Sequence, residues 1–250
     1  MSSTSSADDV AAPPAAAAPA AAGRKVWDLP VRIVHWALVA GVLASYVTSR
    51  IGPEYFRLHL AAGYLVTVLV AFRLLWGLFG TRHARFANFV RGPRAVLAHA
   101  RRWLRGEPAR HAGHNPLGAW MVLALLAGLA VQAGTGLFAN DEIFNVGPLY
   151  GWVSDSLSLT LTAIHQWLFN ALAVAIAVHV LAVLAHRLLS REQLVRALWT
   201  GRKPADAVPA DQAIGSSRLG VALLLLAIVL AALTALVLLA PDASLSSFDS

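Results

Sequence analysis

Four histidines lie inside long apolar segments of this 250-residue chain, and their spacing suggests a common role. His165 and His179 stand 14 residues apart in one apolar stretch, so on a helix both side chains leave nearly the same face, about 21 Å apart along the axis. His35 and His59 lie near the starts of two earlier apolar segments. If consecutive segments run antiparallel, His35 comes level with His179, and His59 comes level with His165.

Two facing neutral imidazoles are the axial ligands that a six-coordinate haem iron needs, and helical bundles build cofactor sites from facing side chains. In hydrocarbon, the polar nitrogens of an unpartnered imidazole would cost free energy, and iron on one nitrogen removes that cost. The spacing therefore predicts an inner haem, nearer the cytoplasm, between His35 and His179, and an outer haem between His59 and His165. The alternative is that these histidines are interfacial or are hydrogen-bonded within a protein core.

Other residues suit the surroundings of such a cofactor. Arg73 follows His59 by 14 residues, so it shares that face and either pairs with the inner haem propionates or extends to the membrane surface. His114 would cap a backbone group or contact a propionate or a quinone, and His186 is a rival inner ligand. Small residues that would leave room for a flat macrocycle, or equally allow close helix packing, are Gly41, Gly63, Gly128, Gly134 and Gly136.

The composition predicts a membrane protein. The chain is 58% hydrophobic and 13% charged, with a mean hydropathy of +0.62, whereas a soluble domain is about a quarter charged. The net charge of +7 comes from clustered basic residues, which favours an anionic lipid surface over nucleic acid as the partner. The absence of cysteine excludes disulfides, iron–sulfur clusters, thiolate zinc sites and covalently attached haem.

Five segments are long and apolar enough to span a bilayer, which needs about 20 residues. The predicted fold is an all-α membrane protein: a four-helix transmembrane bundle that holds two haems, with a fifth C-terminal helix. The predicted spans are 31–49, 58–79, 117–138, 160–185 and 219–240. Residues 24–203 would form the haem domain, 204–218 a linker, 1–23 a disordered tail rich in Ala, Pro and Ser, and 241–250 a second tail.

The connecting segments predict the topology. Residues 80–116 contain eight arginines and one acid, so the positive-inside rule puts this loop, the N-terminus and residues 187–218 in the cytoplasm and the C-terminus outside. Residues 84–110 show weak amphipathic periodicity, which is typical of either an interfacial helix or a solvated basic connector. The three histidines expected to be solvated in this loop are His83, His99 and His111.

Three stretches resemble the bacterial cytochrome b561 and nickel–iron hydrogenase b-type cytochrome family. They are "VWDLPVRIVHW" at 26–36, "RLHLAAGYLVTVLVAFRLLWGLFGTRHARFANFVRGP" at 57–93 and "GHNPLGAWMVL" at 113–123, and the segment containing His165 and His179 continues the match. The resemblance covers about residues 24–203. It implies a four-helix membrane bundle with two non-covalent b-type haems that passes electrons between the quinone pool and a redox partner. By motif position it implies His35, His59, His165 and His179 as the ligands.

We therefore expect a di-haem electron carrier of the bacterial inner membrane, acting as an electron-transfer protein or as the quinone-reactive subunit of an oxidoreductase. Its partner would be a periplasmic cytochrome c or a hydrogenase or dehydrogenase module, docked at the acidic outer face around Asp141, Glu142 and Asp155. Two other hypotheses remain: a transporter with a histidine-lined path for a metal ion or a proton, and a membrane anchor without a cofactor.

Overall fold

The computed structural model describes residues 23–107, 111–143 and 145–241. The predicted tails lie outside this range, apart from residues 23 and 241. In the described part, five helices are long and apolar enough to cross a membrane, which confirms the predicted all-α membrane fold with five spans. The helices are α1 Leu29–Ile51, α2 Phe56–Phe79, α3 Phe86–Phe89, α4 Pro93–Leu104, α5 Pro116–Gly136, α6 Asp155–Leu189, α7 Leu194–Thr200 and α8 Leu219–Leu238. The strands are β1 Arg24–Lys25 and β2 Arg202–Lys203, which pair antiparallel.

Side-chain caps explain where two of the long helices begin. The Asp28 carboxylate accepts a hydrogen bond from the backbone N–H of Val31 at 2.7 Å, and the Asn115 side chain accepts one from Gly118 N–H at 2.7 Å. Each cap satisfies a backbone donor that has no partner within its helix. A proline follows in the first turn of both helices, where its missing N–H costs nothing.

The long helices pack around α2. Helix α1 lies along α2, α5 lies between α2 and α6, and α8 packs against α2 and α1. At the middle of the bundle, Val66 and Val70 of α2 contact Leu129 of α5 and Leu172 of α6 in one apolar cluster. The outer surfaces of α6 and α8 keep large apolar side chains exposed, which is the arrangement that lipid chains would cover.

Helix α6 is longer than its predicted span. It covers 35 residues, and the Ser154 hydroxyl caps its start by accepting from Leu157 N–H at 3.4 Å. The inward positions of α6 include residues 158, 165, 172, 179 and 186, which repeat every seven residues. His165 and His179 therefore belong to the single stripe of α6 that faces the rest of the protein, with Leu172 between them.

A layer of short elements closes one end of the bundle, which we call the basic end; the opposite end, around residues 140–155, is the acidic end. The predicted linker belongs to this layer: Val208 is fully buried, and the backbone N–H of Ile214 donates to Lys25 O at 2.9 Å. The Arg24 side chain donates to the carbonyls of Val208 and Ala205. Residues 204–218 are thus tied to the strand pair β1–β2.

The expectation that the loop histidines are solvated is wrong for two of them. His83 is 8% exposed and His99 is 7% exposed, while His111 is half-buried. Helix α4 packs against α5 and turns His99 inward, and the His83 Nε2–H donates to the carbonyl of Gln212 at 2.8 Å. Part of the basic loop is therefore a packed layer with inward-facing imidazoles.

Candidate functional site

The first predicted histidine pair is brought together near the basic end. The ring centroids of His35 on α1 and His179 on α6 lie 6.5 Å apart, with the ring planes at 53°. The Nδ1 atom of His35 is buried and has no hydrogen-bond partner among the described residues. Trp36 lies edge-on to the His35 ring at 5.2 Å. The two imidazoles thus face each other without touching.

The second predicted pair lies toward the acidic end. The ring centroids of His59 on α2 and His165 on α6 are 6.3 Å apart, with the ring planes at 86°. The Nδ1 atom of His59 lies 2.9 Å from Ser45 O, and the Nδ1 atom of His165 lies 2.8 Å from Gln132 O. Because a carbonyl only accepts, Nδ1 carries the proton in both rings, and each Nε2 keeps a lone pair. A neutral imidazole oriented in this way is the form that binds a metal.

The gap between the rings matches a metal ion bound from both sides. A bond of about 2 Å from metal to nitrogen, plus about 1 Å from each nitrogen to its ring centre, puts two such rings about 6 Å apart. The observed separations are 6.5 and 6.3 Å. In the described ranges, no group of three or more His, Cys, Asp or Glu side chains is placed to hold a metal ion. The pairs therefore fit a cofactor that brings its own remaining ligands, as a haem does.

Glycines near the pairs serve different purposes. A Cβ atom on Gly136 would lie 2.8 Å from Cε1 of His165, so this glycine makes room for the imidazole. At Gly63, one helical turn after His59, and at Gly134, a Cβ atom would meet nothing within 4 Å, which leaves open space beside both residues. The glycines that instead allow close helix packing are Gly41, against Val66, and Gly128, against Leu172.

Arg73 is buried in the protein. It is 6% exposed, so its guanidinium does not extend to the surface. Its Nη1 donates to Ala84 O at 3.3 Å, and the guanidinium lies over the Phe86 ring at 5.3 Å. Among the described residues this is the one hydrogen bond made by a group with five N–H donors. The site therefore retains a buried positive charge with donors to spare.

His114 lies between two aromatic rings beside this charge. Its ring centroid is 4.7 Å from that of Trp27 and 4.5 Å from that of Phe89, and its Nδ1 is buried with no partner in the described part of the chain. Burial, and then the positive charge of Arg73, lower the pKa of His114 to about 3, so the ring is neutral at physiological pH. Asn115, rather than His114, caps α5. His114 also lines an open cavity with Arg82, His83, Arg91 and His111.

The sequence did not reveal the buried carboxylate of Asp28 as a structural centre. It is 1% exposed and accepts hydrogen bonds from Trp76 Nε1 at 3.2 Å and from the Thr81 hydroxyl, in addition to its capping bond. The capping pattern was visible in the sequence, but the partners lie about fifty residues away and carry no local signal. This carboxylate also holds the end of α2 against the start of α1.

His186 does not join the inner pair. Its Nε2 lies 3.3 Å from the Asn115 side-chain amide, and its Nδ1 lies 3.8 Å from the Glu192 carboxylate.

At the acidic end, Asp141, Glu142 and Asp155 are all exposed, and Asp155 accepts a 2.5 Å hydrogen bond from the Tyr150 hydroxyl. The three acidic residues named from the sequence are thus exposed, two of them in one loop and the third in the first turn of α6.

Comparison with known proteins gives a consistent result. Residues 26–201 match the family described as prokaryotic cytochrome b561. The chain is 26% identical to a probable Ni/Fe-hydrogenase B-type cytochrome subunit of Bradyrhizobium diazoefficiens over 71% of this chain and 85% of that protein. It is 28% identical to the subunit of the same name in Azotobacter vinelandii, over 70% of this chain and 86% of that protein. The subunit of the same name in Rhodobacter capsulatus is 26% identical, over 71% of this chain and 80% of that protein. No solved structure gives a significant match.

Proposed function

This chain belongs to the prokaryotic cytochrome b561 family, and we propose that it is a membrane cytochrome that holds two b-type haems. Family membership makes it an integral membrane cytochrome that binds haem b and transfers electrons. We assign the inner haem to His35 and His179 and the outer haem to His59 and His165. The observation that carries this assignment is the presence of two facing imidazole pairs, each with a gap of one metal ion.

The tautomers of the outer pair support ligation by iron. Hydrogen bonds within the protein satisfy Nδ1 of His59 and of His165. The lone pair of each Nε2 stays available to bind a metal. A metal-binding histidine whose other nitrogen donates to a carbonyl is held in one orientation and is a stronger base. Haem supplies one-electron redox chemistry, and the role of these residues is to hold it and tune it.

Arg73 and His114 fit the propionate side of the inner haem. A buried guanidinium with spare donors is suited to carboxylates, which it binds with two parallel hydrogen bonds. His114 is neutral and its Nδ1 is unpaired among the described residues, so it has a hydrogen bond to offer to a propionate or to a quinone. Quinone is the proposed substrate on this side of the bundle.

The two ligand levels define a path across the membrane. His165 and His179 share helix α6, which separates the levels by about 21 Å. The positive-inside rule places the basic end, with the N-terminus, in the cytoplasm and the end of α8 in the periplasm. Residues 24–203 then form the haem domain in the bacterial inner membrane, and α8 is an added span.

The partner at the acidic end is proposed from the names of the relatives. The similar proteins are called hydrogenase b-type cytochrome subunits, which favours a hydrogenase module over a dehydrogenase or a periplasmic cytochrome c. The exposed carboxylates of Asp141, Glu142 and Asp155 would contribute to docking with a basic surface. Electrons would pass between this partner and the quinone pool through the two haems.

A spectroscopic experiment tests the assignment. The purified protein should show reduced-minus-oxidised spectra of low-spin b haem at about two haems per chain. His35→Ala and His179→Ala should each remove the inner haem, and His59→Ala and His165→Ala the outer one. His83→Gln, which alters a histidine outside both pairs, is the matched control and should retain both. A haem-free chain would leave the transporter and anchor hypotheses, and loss of both haems in every variant would contradict the pairing.

A further inference from the structure

Three further histidines meet at the basic end, away from the haem pairs. His99 of α4 and His111 of the following loop have ring centroids 5.2 Å apart. His186, at the end of α6, interacts electrostatically with His99 and lowers the pKa of that residue. Glu192 follows α6, with its carboxylate 3.8 Å from Nδ1 of His186. We call His99, His111, His186 and Glu192 the imidazole cluster.

The cluster holds more hydrogen-bonding capacity than the fold uses. Nε2 of His99, Nε2 of His111 and Nδ1 of His186 are all buried, and none has a hydrogen-bond partner among the described residues. A buried polar nitrogen without a partner costs free energy, and three of them in one place are exceptional in a stable fold. Protons and water are ligands that suit buried imidazole nitrogens of this kind.

The charges around the cluster keep two of its imidazoles neutral. Burial is the main cause that lowers the pKa values of His99 and His111, and Arg102 of α4 lowers both further. Lys203 of β2, which donates to His111 O at 2.8 Å, also lowers the pKa of His111. Glu192 opposes these effects and raises both. At neutral pH each ring is therefore uncharged, so one of its nitrogens accepts a proton while the other releases one.

The cluster connects solvent with the start of α5. The side chains of His186 and Glu192 are 16% and 24% exposed, so water reaches one side of the cluster. On the other side, the Asn115 amide donates to Nε2 of His186 at 3.3 Å. Asn115 adjoins His114, whose ring packs on Trp27 next to the start of α1. The cluster thus runs from the surface to Asn115, and the adjoining His114 is near enough to His179 of the inner pair to interact with it electrostatically.

We propose that the imidazole cluster is a proton-transfer chain between the cytoplasm and a quinone that reacts at the inner haem. This rests on the proposed function, because quinone is its substrate there. A quinone reduced by two electrons would also take up two protons, because its two carbonyl groups become hydroxyl groups. Each proton enters from water at Glu192 or His186. It then passes from ring to ring, because each imidazole takes up a proton on one nitrogen and releases one from the other. Quinol oxidation runs the same steps in reverse.

The experiment uses the full-length protein, with haem bound, in proteoliposomes. The haems are reduced with dithionite, the excess is removed, and decylubiquinone is added while haem oxidation is followed by stopped flow. His99→Gln, His111→Gln and His186→Gln should leave the haem spectrum unchanged and slow oxidation by about a hundredfold, the scale of a lost acid–base group. The solvent deuterium isotope effect should rise, and added imidazole should restore much of the rate.

His83→Gln is the matched control, because His83 is also a buried histidine of the basic end but its Nε2 is bonded to Gln212 O. It should keep the wild-type rate. A readout that needs no quinone is the ¹⁵N signal of labelled histidine: the signals lost in His99→Gln and His111→Gln should titrate below pH 6.5, the reference value for histidine.

The outcomes separate the two proposals. Equal rates in wild type and all three variants, with the wild type oxidised by quinone, would overturn the proton chain alone. Slow variants that imidazole does not rescue, with an unchanged pH profile, would indicate a structural role and also overturn it. A wild-type protein with two haems that quinone does not oxidise would refute the quinone substrate and the proton chain with it.

Discussion

Replacing Gly136 by alanine tests the outer site through a single methyl group. The added Cβ would lie 2.8 Å from Cε1 and 3.0 Å from Nδ1 of His165. Since ordinary contacts begin at 3.4 Å, the ring must move by about 0.6 Å or rotate. Either change lengthens the 2.8 Å hydrogen bond from Nδ1 to Gln132 O and tilts Nε2 away from His59. The added methyl group does not reach the inner pair, because His179 lies 14 residues farther along α6.

The expected cost follows from these two displacements. A ring forced off its preferred rotamer costs about 0.5–1.5 kcal/mol, and a weakened hydrogen bond costs about 0.5–1.5 kcal/mol. A total of about 1–3 kcal/mol corresponds to a loss of about 5- to 150-fold in affinity for the outer haem. This agrees with the about 10- to 100-fold effect of losing a hydrogen bond behind a metal ligand.

The assay measures haem loss from each site separately. Purified Gly136→Ala and wild-type protein are mixed with excess apomyoglobin, and haem transfer is followed by absorbance, with electron paramagnetic resonance to distinguish the two low-spin signals. Only one haem should leave faster in the variant. Gly220→Ala on α8, where a Cβ would meet nothing within 4 Å, is the control. Equal effects on both haems, or unchanged release from both sites, would refute the geometric reasoning.

Three other predictions concern the basic end. Arg73→Gln removes a buried positive charge and should shift the inner haem midpoint potential to more negative values while sparing the outer haem, as measured by redox titration. Asp28→Ala leaves the donors of Trp76 and Thr81 unpaired and should lower the unfolding free energy by about 2–5 kcal/mol, as measured by denaturation in detergent, whereas Thr81→Val should cost less. The pKa of His114 is lowered to about 3 in the folded protein from 6.5, so protons bind the unfolded chain more tightly. The stability contributed by its burial is complete above pH 6.5 and should decline as the pH falls from 6.5 toward 3, seen as smaller hydrogen-exchange protection factors at residues 111–115 after the pH dependence of intrinsic exchange is divided out.

The sequence predicted the long helices and the histidine pairing because both depend on periodicity along one segment. The seven-residue repeat of α6 puts His165 and His179 on one stripe, and antiparallel neighbours supply the partners. The closing layer at the basic end was not predictable in the same way. His83 and His99 stand among arginines in the sequence, and only contacts with Gln212 and with helix α5 make them buried. Such long-range contacts between short elements leave no periodic signal.

The strand pair illustrates the same limit. Two residues on each side are too few to alternate visibly, and Arg24 and Lys203 would be assigned to solvent by their charge. In the structure Lys203 is 9% exposed, and its ammonium donates to the backbone carbonyl of His111. Charge alone therefore overestimates exposure at this end of the molecule.

The seven-residue stripe of α6 has a geometric consequence. A straight α-helix falls behind a seven-residue repeat by about 20° every seven residues, so over the 14 residues between His165 and His179 the two side chains diverge by about 40° in azimuth. That divergence points one imidazole toward α2 and the other toward α1, which are the helices that carry His59 and His35. The difference between the helical period and the seven-residue repeat thus lets one helix, α6, present its two histidines to two different helices.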